Sequence, residues 1–113
     1  MNFVATILLA VALGASSAAA QAPDGAALYQ QHCRMCHGAK GVPPQRMVTL
    51  YPGLKTLADS GFMATRSTDS IAAVVRHGAG RYMMAFGEKL SAAEVAAVAK
   101  YVKTLPGSAP RAP

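Results

Sequence analysis

The sequence contains no tryptophan, only two cysteines, and five acidic residues against eleven basic ones. Cys33 and Cys36 are three positions apart, so a disulfide between them would close almost no loop and could not act as a stabilising framework. The basic residues are spread from Arg34 to Arg111 and lack the dense, aromatic-interleaved run of single-strand nucleic-acid binders. We expect no nucleic-acid partner. The net charge of +6 favours an acidic partner or transient contact with an anionic membrane surface, or only keeps the chain soluble.

Charged side chains are also missing from the first twenty residues, which are apolar from Phe3 to Leu13 and mostly small thereafter. This pattern is typical of a secretory signal peptide, and Ala18 and Ala20 provide the A-x-A cleavage pattern. The apolar run is shorter than the roughly 20 residues that cross a bilayer, which argues against an uncleaved membrane anchor. We predict export, cleavage near Ala20, and a mature chain that begins at Gln21.

The mature chain is long enough for one domain, which we place at residues 21–105, with a flexible, proline-rich tail at residues 106–113. A domain of this size buries only about 60 to 65% of its unfolded surface, so its core is marginal unless something large and apolar adds to it. Because a disulfide framework is not available, we expect a prosthetic group to fill that role.

Helix signals dominate the mature chain, and no segment alternates strictly enough to predict a strand. Asp24 can cap a first helix that Gly38 ends, and Ser91 with Glu94 forms a capping box at the start of the last one, which Lys100 and Lys103 close against the helix dipole. The sequence predicts helices over residues 25–36, 67–78 and 91–105, separated by loops at residues 41–61 and 78–90, the first with one short helical turn. We therefore expect an all-α domain of three or four helices.

The motif C-x-x-C-H, formed by Cys33, Cys36 and His37, is the clearest chemical signal. On a helix these positions lie on one face, so two thiols can add to the vinyl groups of a haem while the imidazole coordinates its iron. A thioredoxin-like dithiol expects a βαβ setting in which the first cysteine opens a helix. A zinc site needs a second ligand pair, and His32 and His77 do not form one of recognisable spacing. A surface disulfide would not need the histidine.

The chain resembles a small, single-haem class I cytochrome c of the bacterial periplasmic type, through "GAALYQQHCRMCHG", "YPGLKTLADS" and "RYMMAFGEKLSAAEVAAVAKYV" in that order. The resemblance implies one haem c, attached covalently through Cys33 and Cys36. It implies that Gly25 and Tyr29 on the first helix meet Tyr101 on the last.

The same resemblance implies that His37 is the axial ligand, that the Pro52 carbonyl accepts a hydrogen bond from its other ring nitrogen, and that Leu54 contacts the haem. The tryptophan that the family often places near the haem propionates is absent. Arg81 or Tyr82 is our candidate to hydrogen-bond a propionate instead.

The ligand on the second face of the iron is expected in "MMAF", which resembles the family's M-P-A-F, so we assign Met83. Met84 replaces the proline, and the loss of a fixed φ leaves Met84 open as an alternative. Met63, His77 or an open coordination site also remain alternatives, since Met47 and Met63 are more typical of core positions and His77 of a helix end.

With His37 and Met83 as ligands of one iron, the resemblance implies a periplasmic, monomeric electron carrier and not an enzyme. A thioether raises the reduction potential relative to a second imidazole, which suits exchange with a dehydrogenase, a quinol-oxidising complex or an oxidase. Two alternatives remain: a dedicated haem subunit of an oxidoreductase complex, and an open-site haem protein that reduces peroxide or binds a gas.

Overall fold

The computed structural model describes residue 14 and residues 21–108, so most of the predicted signal peptide and the last five residues of the predicted tail lie outside the described residues. Seven helical segments follow one another in the described chain. They are α1 Gly25–His32, α2 Arg34–His37, α3 Gln45–Leu50, α4 Ser60–Ala64, α5 Thr68–His77, α6 Ala92–Val102 and α7 Leu105–Ser108. The all-α prediction is confirmed, but four short helices accompany the three longer ones, α1, α5 and α6.

The first predicted helix is divided at Cys33 into α1 and α2. The Asp24 carboxylate caps α1 by accepting a hydrogen bond from the Ala27 N–H at 3.1 Å, and the Cys33 N–H still donates to the Tyr29 carbonyl at 2.9 Å. The chain therefore stays nearly helical through the junction. Gly38 ends α2 with φ +83°, a left-handed conformation that glycine adopts without steric cost.

Helices α1 and α6 pack closely at a point where both carry small residues, Gly25 and Ala97. A Cβ at Gly25 would collide with the carbonyl oxygen of Ala97, so only glycine lets the two backbones pack this closely. One turn further along α1, Tyr29 is fully buried and its ring lies 5.3 Å from that of Tyr101. The contact that the resemblance implied between Gly25, Tyr29 and Tyr101 is confirmed.

The core lies where α1 and α5 both pack against α6, together with Phe86 and Leu90 of the loop before α6. Helix α6 begins with the predicted capping box: the Glu94 N–H donates to the Ser91 hydroxyl at 3.1 Å and the Ser91 N–H donates to the Glu94 carboxylate at 2.9 Å. Nine buried side chains form the core: Tyr29, Met63, Val75, Phe86, Leu90, Val95, Val98, Val102 and Leu105.

The long loop predicted between residues 41 and 61 contains helix α3 and ends at α4, which is more helix than the single turn expected. Asp59 caps α4 by accepting a hydrogen bond from the Phe62 N–H at 2.9 Å. The Lys103 ammonium donates to the carbonyls of Met63 at 2.9 Å and Arg66 at 2.6 Å. Lys103 therefore stabilises the C-terminal end of α4, and not that of its own helix as the sequence predicted.

The C-terminal end of the described chain is helical as far as residue 108, because α7 takes up the first residues of the predicted tail. Leu105 of α7 is 1% exposed and belongs to the core. No helix among the described residues is long and apolar enough to cross a membrane.

Candidate haem-binding site

The three residues of the C-x-x-C-H motif lie within one turn at the junction of α1 and α2. The His37 N–H donates to the Cys33 carbonyl at 3.0 Å, which places Cys33, Cys36 and His37 on the same side of the turn. All three side chains are half-buried, and both cysteines are free thiols. This arrangement presents two thiols and one imidazole to the same ligand.

The thiol of Cys33 does not have the lowered pKa that is typical of a redox-active cysteine pair. Burial, with a smaller contribution from neighbouring Cys36, raises the pKa of Cys33 to about 11. A thioredoxin-like cysteine needs a lowered pKa, because the thiolate is the nucleophile. At neutral pH Cys33 is a protonated thiol, which argues against a disulfide-exchange role for the pair.

The imidazole of His37 is poised as a neutral ligand. Burial lowers the pKa of His37, and the nearby backbone of Lys55 opposes this shift in part. Its Nδ1 atom is buried and has no hydrogen-bond partner among the described residues. A neutral imidazole is the form that binds iron, and an orphaned buried ring nitrogen is costly by about 1–3 kcal/mol unless binding a ligand offsets it.

The hydrogen bond predicted from His37 to the Pro52 carbonyl is not formed in the structure. Pro52 is exposed in a turn that the Leu54 N–H closes on the Tyr51 carbonyl at 3.1 Å, with Gly53 at φ +88°. The backbone that influences the pKa of His37 is instead that of Lys55. Leu54 is half-buried, so its contact with a haem stays a prediction.

The two methionines of "MMAF" occupy different environments. Met83 is half-buried against the core and exchanges two backbone hydrogen bonds with Ala79, at 3.1 and 3.2 Å. Gly78, at φ +79°, makes this narrow loop possible, because a Cβ there would lie 2.6 Å from the Met83 carbonyl oxygen. Met84 is 57% exposed, and its Sδ accepts a hydrogen bond from the Lys89 ammonium at 3.6 Å.

The other candidate ligands are buried in the core, exposed at a helix end or in contact with another ring. Met47 and Met63 are buried, and Met63 is part of the core. His77 is the exposed last residue of α5, and the His32 ring packs edge-on to Phe86 at 5.8 Å. Met83 is therefore the candidate that lies in a hydrogen-bonded, partly buried loop, and its assignment as ligand stays a prediction.

The candidates for a propionate contact lie together on the same loop. Arg81 and Tyr82 are exposed and neither side chain makes a hydrogen bond within the described chain; the Arg81 guanidinium lies 5.9 Å from the centre of the Tyr82 ring. The Tyr82 ring also packs against Tyr51 at 5.2 Å. The sequence did not predict that Tyr51 contacts Tyr82 or that the Lys55 backbone influences His37. The only signal for these two residues was that they flank Pro52 and Leu54.

The residues present fit a haem better than a bare metal ion. Within residues 21–108, no three His, Cys, Asp or Glu side chains form a group that could hold a metal ion. A haem brings four nitrogen donors of its own and needs only axial ligands from the chain. The described chain also leaves large apolar side chains exposed, for example Val48 and Leu50 of α3 and Val74 of α5.

Comparison with known proteins identifies relatives of this chain. A model of the family "Cytochrome C oxidase, cbb3-type, subunit III" matches residues 20–102. The chain is 31% identical over 86 residues to "Cbb3-type cytochrome c oxidase subunit FixP" of Azorhizobium caulinodans. This match covers 76% of the chain but 28% of the relative, so the chain spans little more than a quarter of that protein's length.

Two solved structures are similar over nearly their full length. The "KustC0563 c-type cytochrome" superposes with a TM-score of 0.66 and is 36% identical, and the match covers 73% of this chain and 96% of that one. A point mutant of the same Kustc0563 protein has a TM-score of 0.65 and 35% identity, and the match covers 73% of this chain and 98% of the mutant.

Proposed function

This chain belongs to the family "Cytochrome C oxidase, cbb3-type, subunit III" and has the class I cytochrome c fold, and we propose that it is a one-electron carrier with a single covalent haem c. The observation that supports this most is the single helical turn that presents Cys33, Cys36 and a neutral, buried His37. Cys33 and Cys36 would hold the group by thioethers, and His37 and Met83 would be its axial ligands.

Each residue of the site has a distinct part in electron transfer. The bound haem supplies an iron that takes up and releases one electron. His37 would orient this group, and burial lowers the pKa of its ring, which favours the neutral form that binds iron. The loop of Met83 is tied to Ala79 by two backbone hydrogen bonds and closed at Gly78, so it would hold the Met83 sulfur in one region as a ligand of the group. With His37 and Met83 both bound to it, the group would transfer electrons and offer no open position for a substrate.

A redox titration of the holoprotein tests this function. We expect a single transition that fits one electron per protein, and no turnover of hydrogen peroxide with an electron donor. Peroxide turnover at a rate typical of enzymes would contradict the proposal and favour the open-site alternative, and a titration that needs more than one haem would contradict the single-haem assignment.

A second function, that of a haem subunit within an oxidase complex, is favoured by the name of the Azorhizobium relative, which is an oxidase subunit. Both functions use the same site and the same redox partner classes: a dehydrogenase, a quinol-oxidising complex or an oxidase. Purification of the tagged chain from its host at native expression separates them. A free carrier elutes as a monomer, whereas a subunit elutes with the larger chains of its complex.

We also propose that the protein works in the periplasm after removal of residues 1–20. The proposal depends on the uncharged, apolar N-terminus and on the A-x-A pattern at Ala18 and Ala20. N-terminal sequencing of the mature protein is expected to begin at Gln21. A sequence that begins at Met1 would contradict it.

A further inference from the structure

The thioether of Met84 is open to solvent beside the loop of Met83. Among the methionines that the structure describes, Met47 and Met63 are buried and Met83 is half-buried. Met84 is 57% exposed, and Met35 is 75% exposed. Oxidants convert a thioether to a sulfoxide where they can reach its sulfur, so Met84 and Met35 are the two accessible positions.

A positioned ammonium group lies beside the sulfur of Met84. The Lys89 Nζ donates a hydrogen bond to the Met84 Sδ at 3.6 Å and lies 5.8 Å from the centre of the Phe86 ring. Phe86 belongs to the core, and its carbonyl accepts a hydrogen bond from the Lys89 backbone N–H at 3.0 Å. The turn that begins at Phe86 therefore places a proton donor next to the Met84 sulfur.

The surroundings of Met35 differ in the chemistry of their basic residues. Met35 lines an open cleft with Arg34 and Arg46, and no lysine or histidine lines that cleft. A guanidinium keeps its proton in proteins, whereas a lysine ammonium can release one. Met35 is therefore an internal reference for Met84, because it is more exposed but has no side chain in its cleft that can act as an acid.

We propose that Met84 is a reversible modification site, at which hydrogen peroxide oxidises the thioether to a sulfoxide with Lys89 as the proton donor. A lone pair of the sulfur attacks one peroxide oxygen, so that a sulfur–oxygen bond forms and the oxygen–oxygen bond breaks. The other oxygen takes a proton from the Lys89 ammonium and leaves as water. The protonated sulfoxide then returns a proton to the Lys89 amine. The thioether loses two electrons and the peroxide gains them.

The product keeps Lys89 as its partner, because a sulfoxide oxygen is a polar acceptor and a hydrogen bond from an ammonium is charge-assisted. Met83 is half-buried, and as the iron ligand its sulfur would have no lone pair free for the peroxide. The reaction thus goes beyond the proposed electron-carrier function and leaves the axial ligands in place. Methionine sulfoxide reductases restore the thioether of both sulfoxide epimers, which makes the modification reversible.

Site-resolved mass spectrometry of the ferric holoprotein tests the proposal. The protein is treated with a small excess of hydrogen peroxide, and fragment ions that contain Met84 but not Met83 locate the added oxygen. We expect one oxygen atom at Met84, added faster than at Met35. The oxidised protein should keep its sulfur-to-iron charge-transfer band, and methionine sulfoxide reductases A and B together should remove the oxygen.

Two lysine variants test the part that the ammonium plays. Lys89→Gln should lower the rate of oxidation at Met84 about fivefold, less than acid catalysis gives in closed sites, because water can replace the ammonium at an exposed sulfur. The rate at Met35 should stay the same in this variant. Lys100→Gln, which removes one positive charge from the exposed side of α6, should leave both rates unchanged.

Several results would overturn the proposal. Equal rates at Met84 in the wild type and in Lys89→Gln would remove the role of the ammonium. Oxidation of Met83 or Met35 before Met84 would show that the reactive sulfur is another one. A charge-transfer band that disappears in step with oxidation of Met84 would show that this sulfur is the iron ligand. An oxygen that the two reductases leave in place would contradict reversibility.

The same samples separate this inference from the proposed function. Oxidation of Met84 consumes one molecule of peroxide and then stops, whereas continued turnover of peroxide with an electron donor would contradict the electron-carrier function. If such turnover occurs and the rate at Met84 still depends on Lys89, only the function is wrong. If the redox titration shows one electron per protein and the rate at Met84 does not depend on Lys89, only this inference is wrong.

Discussion

At the scale of single residues, Met83 and Met84 differ in environment although they are neighbours in the sequence. The sulfur of Met84 is directed to solvent and to Lys89, and the side chain is 57% exposed. Met83 is half-buried and its backbone is fixed by Ala79. The proline that would have decided between them is absent, so the loop itself has to select the ligand through these contacts.

Substitution of the two methionines should affect the haem spectrum unequally. We expect the ferric Met83→Ala holoprotein to lose the sulfur-to-iron charge-transfer band, because no other partly buried thioether lies in this loop. The Met84→Ala holoprotein should keep the band with wild-type intensity. Absorption spectra of the two purified proteins provide the test, and the reverse pattern would assign the ligand to Met84.

The carboxylate of Glu94 links stability to pH at the start of α6. Hydrogen bonds from the backbone N–H and then the side chain of Ser91 lower the pKa of Glu94 below its usual value of 4.5, because they favour the charged form. A carboxyl group whose folded pKa is lowered stabilises the protein above the unfolded pKa. This contribution is lost as the pH falls through the folded pKa.

Glu94→Gln should therefore flatten the dependence of the free energy of unfolding on pH below about pH 4.5, since glutamine can keep the capping geometry but not the charge. Urea denaturation between about pH 3 and pH 7 measures this dependence of the free energy of unfolding on pH. Glu88→Gln is the matched control, because Glu88 is exposed and its side chain makes no hydrogen bond to the described part of the chain. If Glu94→Gln and the wild type lose the same free energy on acidification, this account of the cap is wrong.

At the scale of helices, the contact between α1 and α6 depends on the absence of a side chain at Gly25. Gly25→Ala is expected to lower the free energy of unfolding of the holoprotein by about 2–3 kcal/mol, because the added Cβ meets the Ala97 carbonyl and forces the helices apart. Gly107→Ala on α7 is the control, since a Cβ there meets no atom within 4 Å. We expect the control to change stability by about 0.5 kcal/mol at most.

Urea unfolding followed by the fluorescence and absorbance of the holoprotein compares the two glycine variants. A midpoint for Gly25→Ala that equals that of the wild type would show that the crossing is looser than the structure has it. Such a result would also weaken the match of Gly25, Tyr29 and Tyr101 to the family.

Helix boundaries could be predicted from the sequence where short-range chemistry sets them. The caps at Asp24 and Ser91 each use a side chain that accepts a hydrogen bond from a backbone N–H three residues along, so the spacing alone reveals them. The role of Lys103 could not be predicted, because its acceptor on Met63 is 40 residues away in sequence. The same limit applies to the contact of Tyr51 with Tyr82, which joins two loops without periodicity.

The residues of the candidate site also fall into those that the sequence predicts and those that it leaves open. Cys33, Cys36 and His37 are recognisable because their chemistry requires one fixed local spacing. Sequence alone left Met83 and Met84 open because two identical neighbouring residues differ only in the loop contacts around them. Whether the Pro52 carbonyl meets the His37 ring depends on how the Gly53 turn orients it, and the Nδ1 atom of His37 has no hydrogen-bond partner among the described residues.

At the scale of the whole molecule, the haem is expected to be part of the core. The protein leaves the Nδ1 atom of His37 buried without a partner among the described residues, and several large apolar side chains are exposed. Cys33→Ser/Cys36→Ser should abolish covalent haem attachment and with it the cooperative thermal transition seen by circular dichroism. Met35→Ala, between the two cysteines, should retain both; a cooperative transition in the haem-free variant would show that the polypeptide core suffices.

Exposure of the ferrous holoprotein to carbon monoxide tests most directly whether His37 and Met83 together occupy both axial positions of the iron. An electron carrier of this kind should show a low-spin spectrum that carbon monoxide leaves unchanged over minutes at neutral pH. Rapid conversion to a carbon monoxide adduct would contradict the assignment of Met83 and indicate an open coordination site.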